Sequence, residues 1–290
     1  MRSSASQDWI LSTRFWPTSQ FSSFFQQALK KQFLGFGVTS KTLPFFPQSH
    51  SLTPEKYFFS HLIWDLPIDL FSEKRLQNEV QKLLDVAQIA KQYQIPAVVL
   101  ECFELPTTDA AKRFDKMLVD LQDGTPKAQE ILKTWKADRQ GNQKEVLLAL
   151  CRLLFSLLKR EQDVLFCLTP RYRLDQIPLS QEISSVFEEL KRFPHLRYWH
   201  HTAYAHLQEQ LGFQPQEDWL EQCGSRLYGI TLQDAIRYQV GLPPGIGDVS
   251  FDILNHLPAK CFRALEFSEL NSWLEIDLGI SHLNTLPASS

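Results

Sequence analysis

A chain of 290 residues with 43% hydrophobic and 22% charged residues can bury one large core, and that balance excludes disorder as the dominant state. The formal net charge of −3 offers no broad cationic field, so general binding to a nucleic-acid backbone is not expected. No run approaches the roughly 18 apolar residues that span a bilayer.

Met1–Trp9 is polar and lacks the apolar core of a secretory signal. The five cysteines (Cys102, Cys151, Cys167, Cys223 and Cys261) are scattered and form no Cys-x-x-Cys pair, which argues against a disulfide framework or a structural zinc site. The expectation is a soluble protein of a reducing cytoplasm, with no membrane and no nucleic-acid partner. Its oligomeric state is not written in the sequence.

Short apolar runs alternate with helix-period segments, the pattern of βα units around a parallel sheet. In chain order the expected strands are Trp9–Arg14, Leu34–Thr39, Phe58–Trp64, Ala97–Phe103, Val164–Leu168, Leu196–Trp199, Leu227–Thr231 and Phe262–Phe267. Several are continuous apolar runs, as strands buried on both faces require. Leu76–Tyr93 carries Leu76, Val80, Leu83, Leu84, Ala87 and Ala90 on one helical stripe, and Lys144–Arg160 does the same with Val146, Leu147, Leu150, Leu154 and Leu157. Ser180 is placed to cap a short helix, and Ser268 to cap the last one. Residues 106–143 form a charged, helical insert after a strand end, positioned to cover a barrel mouth. No Gly-x-Gly-x-x-Gly turn follows the first strand, which favours a closed barrel over an open doubly wound sheet. The fold expected is α/β, a single (β/α)8 TIM barrel spanning 1–290.

The C-terminal third carries a resemblance. Its landmarks are Trp199-His-His-Thr-Ala-Tyr-Ala-His206, Glu217-Asp-Trp-Leu220, Arg226-Leu-Tyr-Gly-Ile-Thr-Leu-Gln-Asp234, Gly241-Leu-Pro-Pro-Gly-Ile-Gly247 and Ala264-Leu-Glu266. In order and spacing these resemble the last three βα units of the xylose-isomerase-like superfamily of sugar isomerases and epimerases. The resemblance implies a divalent metal (magnesium, manganese or zinc) at the C-terminal mouth, held by Glu, Asp, His and Glu from successive strands. It also implies proton transfer next to a sugar carbonyl.

Transferred residue by residue, those ligand positions fall on Thr169, His201, Thr231 and Glu266. Two of the four are therefore hydroxyls, poor ligands for a hard cation. A family histidine that touches substrate falls on Tyr204, while Asp234 of the His-x-x-Asp motif is retained.

The expected site combines Glu266 and Glu101 as proton-transfer residues with His201 and Glu266 as metal ligands. His61, Asp234, Tyr204 and Arg171 are the candidate substrate-binding groups. Each has a plainer alternative: Asp234 as a loop organiser, His200 and His201 as packing residues with at most one facing the interior, and Arg171 as a solvated loop residue. Two functions are expected. The first is a sugar isomerase or epimerase acting on a small sugar, polyol or sugar phosphate. The second is a barrel that has lost catalysis and binds a ligand or protein.

Overall fold

Eight parallel strands close on themselves, each where the sequence places an apolar run. The computed structural model describes residues 9–31, 33–46, 58–104, 110–173, 175–258, 260–268 and 271–286, so 106–109 of the expected insert lie outside the described residues. In chain order the strands are β1 (Ile10–Ser12), β2 (Gly35–Thr39), β3 (Phe58–Trp64), β4 (Ala97–Leu100), β5 (Phe103–Glu104), β6 (Leu165–Leu168), β7 (Gln176–Ile177), β8 (Leu196–His201), β9 (Leu227–Leu232), β10 (Asp234–Ile236), β11 (Gln239–Leu242) and β12 (Phe262–Leu265). The barrel runs β1-β2-β3-β4-β6-β8-β9-β12 and closes where Ile10 of β1 pairs with Ala264 of β12. The strands β5 and β7 pair antiparallel beyond the strand ends, as do β10 and β11.

The helices are α1 (Phe21–Lys30), α2 (Leu76–Gln92), α3 (Ala110–Gln122), α4 (Pro126–Arg160), α5 (Ser180–Glu189), α6 (Thr202–Gln210), α7 (Gln216–Cys223) and α8 (Trp273–Thr285). Among the described residues, no helix is long and apolar enough to cross a membrane.

Successive strand residues point to opposite faces, and that alternation builds two cores. Outward residues such as Leu11, Val38, Leu62, Val98, Leu100, Phe166, Leu168 and Leu265 meet the helices. Inward residues Ile10, Ile63, Ala97, Val99, Cys167, Trp199 and Ala264 fill the barrel. The broadest interior group is the Trp199 indole, which lies 4.0 Å from the His61 ring and donates to the Thr231 hydroxyl at 2.8 Å. Both rings fit because the facing residues have no side chain. A Cβ on Gly229 would overlap the Trp199 ring, and one on Gly37 would overlap His61.

Helix α4 has 35 residues, about 50 Å at 1.5 Å per residue, and does two jobs. Its second half buries Val146, Leu150, Leu153, Leu154, Leu157 and Leu158 against the barrel wall. Its first half stands above the strand ends. There Ala128, Ile131, Leu132 and Trp135 join Phe114, Met117 and Leu118 of α3, Leu207 of α6 and its C-cap Leu211 in a separate apolar cap. Two expected caps move by a few residues. Leu179 is the N-cap of α5, with Glu182 accepting its N–H at 2.8 Å, and Ser272 caps α8 in a reciprocal box with Glu275.

Candidate functional site

The alternation that fills the barrel also delivers the polar residues at its mouth. Two positions beyond an inward apolar residue the next side chain points inward again, one layer higher. Ile10 leads to Ser12 and Arg14, Val99 to Glu101, Cys167 to Thr169 and Arg171, Trp199 to His201, and Ala264 to Glu266. Glu101, Thr169, Arg171, His201 and Glu266 are all buried, and Arg14 keeps 16% of its side chain exposed. Charged groups withdrawn this far from water persist only when paired.

Pairing takes two forms. Glu101 faces two guanidinium groups: Arg171 Nη1 donates to its Oε2 at 2.5 Å, and Arg14 Nη1 lies 2.7 Å from the same oxygen. Burial pushes the Glu101 carboxyl up, but Arg14 and then Arg171 outweigh it and hold it at about 2. Glu266 accepts the Ser12 hydroxyl at 2.9 Å on Oε2 and faces His201 Nε2 at 3.3 Å on Oε1. Burial also raises the Glu266 carboxyl, and the His201 hydrogen bond with the charge of Arg14 brings it below its ordinary value. The Tyr204 backbone N–H donates to His201 Nδ1 at 3.4 Å, so the ring proton is assigned to Nε2, directed at Glu266.

His201 also stacks face to face on Tyr204, with ring centres 3.6 Å apart. Tyr204 meets Tyr172 at 4.8 Å, and Tyr172 meets Phe114 of the cap at 6.1 Å. A continuous line of rings therefore links the cap to Glu266. His61 lies lower in the barrel. Ser60 donates its hydroxyl hydrogen to the Phe36 carbonyl at 3.3 Å and contacts His61 Nδ1 at 2.8 Å, which assigns the proton to Nδ1 and leaves Nε2 a buried acceptor without a partner. Burial lowers the His61 pKa to about 4 against the opposing pull of Glu266 and Glu101, so the ring is neutral near pH 7.

Of the residues expected from the sequence, Glu101, Arg171, His201, Tyr204 and Glu266 share one cluster, and His61 is electrostatically within its reach. Asp234 stands apart from it in role. Its carboxylate accepts the backbone N–H groups of Ala235, Gly245, Gly247 and Val249 at 2.8–3.0 Å, so it organises the turn at 243–249. Gly247 abuts the Ala235 carbonyl and Asp234 so closely that a Cβ there would overlap both. His200 points outward and contacts the Tyr198 hydroxyl at 2.7 Å. Sequence reasoning missed Arg14 and Ser12 as site residues, although strand parity alone places them one above the other inside the barrel.

The donor set does not fit a divalent cation. Such an ion needs several convergent carboxylate, imidazole or carbonyl donors. Thr231 is committed to Trp199, Glu101 is neutralised by two arginines, and Arg14 bears on both carboxylates. Among the described residues no group of three or more His, Cys, Asp or Glu side chains converges.

No family model and no curated protein matches the sequence. The fold does match solved structures. The 3-keto-D-glucoside 4-epimerase YcjR from E. coli aligns over 96% of this chain and 99% of its own, with TM-score 0.64 and 14% identity. A probable 3-DHS dehydratase, AsbF, from Bacillus anthracis aligns over 97% and 100%, with TM-score 0.62 and 12% identity. A xylose isomerase domain protein from Alicyclobacillus acidocaldarius aligns over 96% of each chain, with TM-score 0.59 and 14% identity. The chain thus shares the TIM-barrel fold of these structures.

Proposed function

We propose that this protein binds a small, oxygen-rich, sugar-type anion at the C-terminal mouth of its barrel, with Arg14 and Arg171 supplying the positive charge in place of a metal ion. One observation carries the reading: the mouth holds buried polar atoms that the protein itself leaves unpartnered. They are Arg171 Nε, a donor, the Thr169 hydroxyl and, lower in the barrel, His61 Nε2. Buried groups of this kind each cost about 1–3 kcal/mol unless something bonds to them. A sugar acid or sugar phosphate presents the matching set: anionic oxygens for the arginines, and hydroxyls for His61 and Thr169. Barrels of this type place their ligands at this end, and the epimerase and dehydratase neighbours are consistent with such a ligand.

The test is calorimetric titration with a panel of sugar acids and sugar phosphates in excess chelator. Saturable binding that Arg14→Gln weakens at least tenfold is expected. Binding that appears only after manganese, magnesium or zinc is restored overturns the proposal.

The contact between Glu266 and His201 favours a second reading, an isomerase or epimerase acting on the same ligand. A buried carboxylate in contact with a buried histidine is a proton-transfer arrangement. Incorporation of deuterium from solvent at the carbon next to the ligand's carbonyl, lost in Glu266→Gln, supports catalysis. A bound ligand that exchanges no deuterium leaves the binding function alone.

A further inference from the structure

A cavity lies away from the mouth, on the flank of the cap. It encloses about 370 Å³ between the first half of α4, the start of α5, and the loop joining α6 to α7; its walls include Lys136, Arg139, Leu179, Phe213, Gln214 and Asp218. That size is within the range of small-molecule sites. Arg139 is 5% exposed, and its Nη2 is committed to Glu182 at 2.7 Å. The N–H groups on its Nε and Nη1 have no partner, and neither does the side-chain amide nitrogen of Gln214, a residue 8% exposed. Lys136 adds an ammonium that reaches the Gly212 carbonyl at 3.2 Å and sits 4.7 Å over the Phe213 ring. Two independent side chains, both more than nine-tenths buried, therefore carry unsatisfied donors among the residues that line one cavity.

Donors without acceptors select an anion. Its charge follows from the rest of the wall: Glu182 and Asp218 balance Arg139 and Lys136, so the site as a whole is neutral and a dianion would gain little. Leu179, Phe213 and Pro215 supply an apolar side. We infer that this cavity is a binding site for a small monocarboxylate with a short apolar body, its oxygens held by Arg139, Gln214 and Lys136. Burial without a full set of partners also holds the Arg139 guanidinium below its ordinary pKa, despite the opposing charges of Glu182 and Asp175. A bound carboxylate would remove that deficit. The site is separate from the mouth and does not depend on the function proposed there.

The test uses the full-length protein labelled with nitrogen-15, with the Arg139 Nε–H resonance assigned by its loss in Arg139→Lys. Lactate and isobutyrate are titrated at constant ionic strength against chloride and inorganic phosphate. A saturable shift with the carboxylates is expected, weakened at least fivefold in Lys136→Met and in Gln214→Leu. Both variants leave the Arg139–Glu182 pair in place, so they read the site even where Arg139→Lys folds poorly. Arg14→Gln should leave the titration unchanged. No saturable shift, an equal shift with chloride, tighter binding of phosphate, or a titration indifferent to Lys136→Met and Gln214→Leu overturns the assignment.

Discussion

Replacing Glu101 by Gln keeps the shape of the mouth and removes the charge that two arginines share. Arg171 is buried and Arg14 largely so, and both would then face each other across a neutral amide. Removing one partner of a buried ion pair costs about 3–5 kcal/mol. Proton linkage gives an independent figure. A carboxyl that titrates at about 2 when folded and about 4.5 when unfolded contributes about 3 kcal/mol. Because the folded value is the lower, this contribution is complete above pH 4.5 and fades as pH falls toward 2. Urea unfolding of both proteins between pH 7 and pH 3 measures it. The Gln variant should be about 3–5 kcal/mol less stable at pH 7. For a chain of this length that is a loss of about 5–8 °C in Tm, and the gap should shrink below pH 4. A gap under 1 kcal/mol at pH 7, or one that does not change with pH, refutes the pairing on which the mouth is built.

The remaining predictions concern neighbouring features. His61 titrates at about 4 when folded against 6.5 when unfolded, so wild-type stability should fall by roughly 3 kcal/mol as pH drops from 6.5 to 4 on its account. His61→Gln should flatten that part of the urea-derived pH profile, and an unaltered slope would count against a neutral buried ring. Gly229→Ala should cost about 1–3 kcal/mol by driving a methyl group into the Trp199 ring, read as a lower urea midpoint with an unchanged m-value. Asp234→Ala strips the acceptor from the Gly245, Gly247 and Val249 N–H groups and should make the turn at 243–249 the first site of proteolytic cleavage. Cleavage that starts elsewhere, at the wild-type rate, would show that the turn is held by other contacts.

All eight barrel strands were legible in the sequence because strands buried on both faces read as apolar runs, and Ala97–Leu100 and Leu165–Leu168 are nearly nothing else. The second helix was legible for the complementary reason, a single apolar stripe. The β10–β11 hairpin was not, since Arg237, which turns it with φ of 51°, gives no glycine signal. Neither was the unbroken course of α4 through Gly141, because a mid-helix glycine lowers helix propensity by about 1 kcal/mol and tertiary packing overrode it. At the mouth, Glu101 and Glu266 were visible as acids at the ends of apolar strands, and His201 through the resemblance in the C-terminal third. Arg14 closed the expected first strand, but it fell on no ligand position of the resemblance and so was not read as a site residue. What the sequence could not show is that Arg14 and Arg171 converge on one carboxylate, a fact of barrel closure rather than of spacing.

The unbroken length of α4 has a consequence for how this protein can change over time. Each residue in an α-helix advances the chain by about 100°. Removing or adding one residue near Gly141 would turn the half carrying Ala128, Ile131 and Trp135 by that angle relative to the half carrying Val146, Leu150 and Leu154. The cap would then present a different face to α3 and Tyr172. Substitutions can drift freely along the exposed side of this helix, but its length is phase-locked. Only insertions or deletions of three or four residues, or of seven, restore the alignment between what covers the mouth and what walls the barrel.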